Sequence, residues 1–174
     1  YINNASGTGF TVSGNYIGGQ AASCGGSAWT KTSAYNSPFN AIYITAGTGT
    51  ASSIQNNTIR NISWGNSTNG TWTAISAAAG DINIGTATGN TIGASSGTGS
   101  VSVTNGTTGA TVYGINIGSS GNVDCRNNTI GSLTVSNSSA NSTSFYAIYK
   151  AGVAGTLTIN SNIIGSTTTA SSIN

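Results

Sequence analysis

The chain has 174 residues, and only six of them carry charge: Lys31, Arg60, Asp81, Asp124, Arg126 and Lys150. A formal net charge of +2 with no basic stripe excludes electrostatic capture of nucleic acid. No run approaches the ~20 consecutive apolar residues that a membrane-spanning helix needs, so no membrane insertion is expected, and Ser, Thr, Asn and Gly must cover the surface.

From the N-terminus, the elements alternate between two recurring patterns. The first pattern opens as FTVSGNYIGG at Phe10. It returns as SSIQNNTIRN at Ser52, DINIGTATGNTIGA at Asp81, VDCRNNTIGS at Val123 and LTINSNIIGS at Leu157. Between these copies stand FNAIYI at Phe39, WTAISA at Trp72, VYGINI at Val112 and FYAIYK at Phe145. Apolar and polar residues alternate over each short run, the pattern of a strand with one side chain inward and the next outward. No segment sustains the i, i+3, i+4 spacing of a helix. Gly and Asn punctuate every run, as turns with positive φ require.

The Ile residues of the first pattern, Ile17, Ile59, Ile92, Ile130 and Ile164, are separated by 42, 33, 38 and 34 positions. From the Ile of the second pattern to the next of these takes 17, 17, 15 and 16 positions, whereas the return arc takes 25, 16, 23 and 18. One arm has nearly fixed length and the other accepts insertions. Short strands repeating once per turn, with length variation on one arc, describe an all-β parallel β-helix of about four to five coils. Nothing repeats at six residues, which argues against a left-handed hexapeptide solenoid.

Stacked coils give each recurring letter a place. Asn15, Asn57, Asn90, Asn128 and Asn162 are expected as a ladder at one corner, each amide bonding the next, with the following Ile entering the core. Asn also tolerates the left-handed turn conformation such a corner needs. Val12, Ile54, Ile84, Cys125 and Ile159 form a second predicted column, and Ile42, Ile75, Ile115 and Ile148 a third. Lys150 stands where Ile44 and Ile117 stand, so that position leaves the core or the lysine snorkels. The segment YINNASGTGFTVSGNYI at Tyr1 aligns with YITAGTGTASSIQNNTI at Tyr43, so the chain opens midway through a repeat. We read residues 1–174 as one β-helix segment, a slice of a longer array. Its neighbours end to end would be further repeats or copies of itself.

The copies NNTIRN, GNTIGA and NNTIGS, together with GINIG and AIY, resemble the Asn-Thr-Ile-Gly β-helix repeats of very large secreted cell-surface proteins of Bacteroidetes-like bacteria. The resemblance spans essentially the whole chain. It implies a right-handed β-helix of the pectate-lyase-like superfamily, an extracellular place, and a role as an adhesin or surface fibre. That superfamily also contains polysaccharide-cleaving enzymes.

Catalysis on such a scaffold needs clustered acids and bases, with paired carboxylates as acid and base. Two carboxylates are present here. Asp81, Asp124 and Arg126 are either a small site or a solvated ion pair, and the second reading is favoured. Two carboxylates fall short of the oxygen set calcium usually takes. Zinc has no His and at most one available Cys, and the serines lack a His base. No catalytic residue, cofactor or metal is therefore expected. Cys125 occupies a position held elsewhere by Val or Ile and reads as a small buried hydrophobe. Cys24 lies in an expected loop, either free or bonded to another chain.

The longest predicted loop, Gly19 to Ser37, carries Trp29, Lys31 and Tyr35, candidates for contact with a cell-surface glycan or protein. Nine Asn-x-Ser/Thr triplets occur, near what composition alone yields; Asn66, Asn69, Asn137 and Asn141 lie in expected loops where a glycan would fit. Thr58, Thr91 and Thr129 form one outward threonine column, which raises ice binding beside the structural and adhesive reading. A self-assembling filament subunit and a polysaccharide-active β-helix are two further readings.

Overall fold

In the computed structural model, which describes residues 1–33, 35–151 and 155–174, each circuit crosses four parallel sheets. The first holds Ile2–Asn3, Phe39–Thr45, Trp72–Ala79, Thr111–Ile117 and Ser144–Lys150. The second holds Thr11–Ser13, Ser52–Gln55, Ile82–Ile84, Val123–Arg126 and Leu157–Asn160, one rung per coil. A sharp corner leads to the third, Tyr16–Ile17, Thr58–Ile59, Thr91–Gly93, Thr129–Gly131 and Ile163–Ile164. The fourth contains Trp29–Lys31, Ile62–Gly65, Val101–Asn105 and Leu133–Asn137, and Ile173 begins a further rung by bridging Leu133. The fold is a parallel β-helix.

Strand register reproduces the columns expected from the repeat. Ile17, Ile59, Ile92, Ile130 and Ile164 pair in succession, as do Val12, Ile54, Ile84, Cys125 and Ile159. Ile42, Ile75, Ile115 and Ile148 obey the same rule. Ile54, Ile59, Ile75, Ile84, Ile92, Ile115 and Ile130 are fully enclosed, and each such side chain contributes ~1.5–3 kcal/mol by leaving water. Tyr1 stacks on Tyr43 at 4.5 Å, as the alignment of the first residues implies. Lys150 keeps the register of Ile117, half-buried, with its ammonium donating to the Ser119 carbonyl.

One conformational expectation needs correction. The left-handed residue at the ladder corner is the one before the ladder Asn: Gly14, Asn56, Asn127 and Ser161 have φ of 68°, 52°, 58° and 54°. The ladder Asn itself is spared that conformation, which leaves its side chain free to point along the stack. After the Ile, the turn is made in two ways. Gly93 takes it at φ 77°, where a Cβ would sit 1.8 Å from the Gly131 carbonyl oxygen. The second and fourth coils move it one residue later, to Asn61 and Ser132. Arg60 therefore fits where other copies carry Gly.

Candidate functional site

The Asn ladder is continuous. Nδ2 of Asn15 donates to Oδ1 of Asn57 at 2.8 Å, Asn57 to Asn90 at 2.9 Å, Asn90 to Asn128 at 2.8 Å and Asn128 to Asn162 at 2.9 Å. Each receiving oxygen also accepts the backbone N–H of the donor residue, at 3.0–3.1 Å. The second amide hydrogen turns to the preceding coil: Asn57 to the Val12 carbonyl, Asn90 to Ile54, Asn128 to Ile84 and Asn162 to Cys125. Asn57, Asn90 and Asn128 are buried, and the stack satisfies amides that would otherwise be costly to enclose.

The predicted loop Gly19 to Ser37 contains a strand of the fourth sheet, Trp29–Lys31, which corrects its reading as loop throughout. Trp29 and Lys31 lie on a strand in register with Ile62 and Trp64. Trp29 packs edge-on against Phe39 and Trp64, at centroid distances of 5.7 and 5.9 Å. Lys31 is occupied: its Nζ donates to the carbonyls of Tyr35 and Gly65, both at 2.5 Å, and sits 5.7 Å from the Trp64 ring centre. Of the three candidates, Tyr35 is the most freely displayed, at 78 % exposure; Trp29 keeps 41 % and Lys31 is half-buried. The insertion after Gly19 is pinned by the residues that distinguish NNTIRN from its relatives. Asn61 Nδ2 donates to the Cys24 and Gly26 carbonyls at 3.1 and 2.9 Å, and Arg60 Nη2 to Ser23 at 3.1 Å.

Both cysteines are free thiols. Cys125 fills its core column fully enclosed, and burial, helped by the nearby Asp124 charge, pushes its pKa up to about 12. Cys24 is buried too, in a short 3-10 turn at Ala22–Cys24, instead of offered on an open loop.

Asp81 and Asp124 reach one shallow groove together with Asn83, Asn122, Thr156 and Thr158. Their oxygens are largely committed. Asp81 accepts the N–H groups of Gly49 and Asn122, each at 2.7 Å, and these bonds hold its pKa below the ordinary carboxylate value against a smaller opposing effect of burial. Asp124 pairs with Arg126 Nε at 2.5 Å near the surface, where water screens the two charges. Among the described residues, no group of three or more His, Cys, Asp or Glu converges. No helix there is long and apolar enough to cross a membrane.

The four candidate glycan acceptors separate by environment. Asn66 is enclosed, its Nδ2 donating to the Gly70 carbonyl at 3.1 Å and to Asn105 Oδ1 at 3.2 Å, which leaves no room for a sugar on the folded chain. Asn137 is half-buried, with Nδ2 on the Thr108 carbonyl at 3.1 Å. Asn69 and Asn141 are exposed. Thr58, Thr91 and Thr129 do stack in register, half-buried. The flanking positions Gly93 and Gly131 give them no second hydroxyl rank.

A surface not evident from the repeat motifs lies on the outer face of the first sheet. Tyr113 and Tyr146 are register neighbours, and Asn116 pairs with Tyr149. The three rings cluster at centroid distances of 5.0–5.6 Å, Tyr113 and Tyr146 nearly parallel. The signal for it lies in the aligned second pattern, since VYGINI and FYAIYK superpose Tyr on Tyr. Comparison of the chain with known family models, curated proteins and solved structures gives no match.

Proposed function

We propose that the chain is a non-catalytic, extracellular β-solenoid, part of a bacterial surface fibre or adhesin, in which stacked coils supply a stiff rod and the outer faces meet a cell-surface glycan or protein. The unbroken Asn ladder carries the reading. A continuous column of hydrogen-bonded amides, repeated once per coil beside a continuous apolar column, resists bending and shear along the axis. The charged residues support no competing chemistry: Asp81 is bound by two backbone N–H groups and Asp124 by Arg126.

The test is adhesion of beads coated with the purified chain to glycan-bearing and protein-bearing surfaces. Expected is adhesion without any shortening of a polysaccharide offered in solution. Absence of adhesion to every surface removes the adhesive role. Cleavage of a polysaccharide that disappears in Asp124→Ala replaces the whole reading with an enzymatic one.

A second reading, a filament subunit, is favoured by the outermost rungs. Ile159, Ile163 and Ile164 are about half exposed at one end. An open groove at the other is lined by Tyr1, Ile2, Val12, Asn15 and Ile17. A further coil of a longer chain or a second copy would cover them by strand addition. Electron microscopy distinguishes the two, with short monodisperse rods against fibres whose length grows with concentration.

A further inference from the structure

We propose that Tyr113, Tyr146 and Tyr149 form a platform on the outer face of the first sheet that binds a neutral polysaccharide by stacking on sugar rings. The inference rests on the adhesive reading above and supplies its ligand class. Its first support is geometry. Tyr113 and Tyr146 lie nearly parallel at 5.6 Å, Tyr149 closes against both at 5.3 and 5.0 Å, and Tyr146 remains 42 % exposed. A tyrosine ring offers an apolar body with a wet hydroxyl tip, and a pyranose offers the complement, an apolar C–H face with a hydroxyl rim.

Charge is the second support. The register rows in which the three rings stand are Asn40, Thr73, Tyr113, Tyr146 and Tyr43, Ser76, Asn116, Tyr149, with no Asp, Glu, Lys, Arg or His among them. Lys150, the one charged residue on these strands, has its ammonium on the Ser119 carbonyl. A charged polymer would lose hydration here with no ion partner in return, whereas a neutral sugar loses none of that kind.

The experiment titrates the full chain with hydroxyethyl cellulose, a mixed-linkage β-glucan and an α-mannan, monitoring tyrosine circular dichroism and retention on the immobilised polymers. Expected is saturable binding to at least one polymer, weakened about tenfold in Tyr146→Ala and in Tyr149→Ala and retained in Tyr146→Phe. Far-ultraviolet circular dichroism and the thermal midpoint check that the variants keep the fold. Binding unchanged in both alanine variants overturns the platform, and so does the absence of binding to all three polymers. If the beads still adhere to protein-bearing surfaces in either case, the platform falls and the adhesive rod stands. Loss of adhesion everywhere removes both.

Discussion

Two corners of the coil carry asparagine columns, and only one of them closes. Between the second and third sheets, Asn57, Asn90 and Asn128 each donate to the next coil and to the preceding one, and every rung repeats the same bonds. Beyond the fourth sheet, Asn66 donates to Asn105 at 3.2 Å, but the Nδ2 of Asn105 is enclosed without an acceptor among the described residues. Asn137 is its register neighbour, yet the Oδ1 of Asn137 is taken by the N–H and hydroxyl of Ser139 at 2.8 and 2.7 Å. The two corners differ in the path of the chain just after each Asn. At the first corner it runs straight into a strand, so each rung meets an identical neighbour. At the second it enters an arc of variable length, whose own turn competes for the amide oxygen. An amide ladder survives where the path is the same in every coil.

The sharpest way to break this contrast is to remove one rung from each column. Asn90→Ala strips partners from Asn57, Ile54 and Asn128 at once, and we expect about 2–4 kcal/mol of lost stability in urea unfolding. Asn105→Ala removes a group already unpaired on one side and should cost about 1 kcal/mol. Equal losses would mean that the closed ladder has no special weight.

The corner between the first and second sheets is held by a carboxylate instead of an amide. The N–H groups of Gly49 and Asn122 hold the Asp81 pKa below its ordinary value of 3.8. The stabilisation from this group is thus fully present above the unfolded pKa and is lost as pH falls through the lower folded one. Acid unfolding of Asp81→Asn should show less dependence on pH below about 4 than the parent chain does. Unchanged acid sensitivity would assign the effect elsewhere.

Cys125 reports on the ladder from beneath, since its sulfur lies 3.5 Å from Asn128 Nδ2. With a pKa of about 12 and no exposure, it should resist thiol reagents at pH 8 in the folded chain and react faster in Asn90→Ala. The smallest effect expected is on glycan occupancy in a glycosylating host. Mass spectrometry should find Asn69 and Asn141 modified and Asn66 unmodified, because Asn66 is a rung of the incomplete column.

The closed corner is also the most legible part of the sequence. Repetition of Asn and Ile at one relative position is what hydrogen-bonded register demands, so aligning the letters aligns the strands, down to Cys125 beside Ile84 and Ile159. The fourth sheet is harder to read because no letter recurs through all four of its strands. Trp29–Lys31 and Ile62–Gly65 look unrelated, although VSVTN and LTVSN at Val101 and Leu133 carry the alternation that exposes it. Candidate contact residues are less legible still. Trp29 reads as a loop residue because it is remote from any motif, and its partners Phe39 and Trp64 are brought near only by coiling. The tyrosine cluster joins two coils, and no single stretch of sequence displays it.

The ladder also gives the rod a direction. Every Nδ2-to-Oδ1 bond in it runs from the lower-numbered to the higher-numbered coil, and no rung is reversed. Among the described residues, Asn15 donates into the ladder without accepting from it, and Asn162 accepts from it without donating to a further Asn. Two such rods can continue the column only head to tail, since a head-to-head meeting would set oxygen against oxygen or hydrogen against hydrogen. Any assembly that extends the stack would inherit that vectorial order, with two chemically distinct tips.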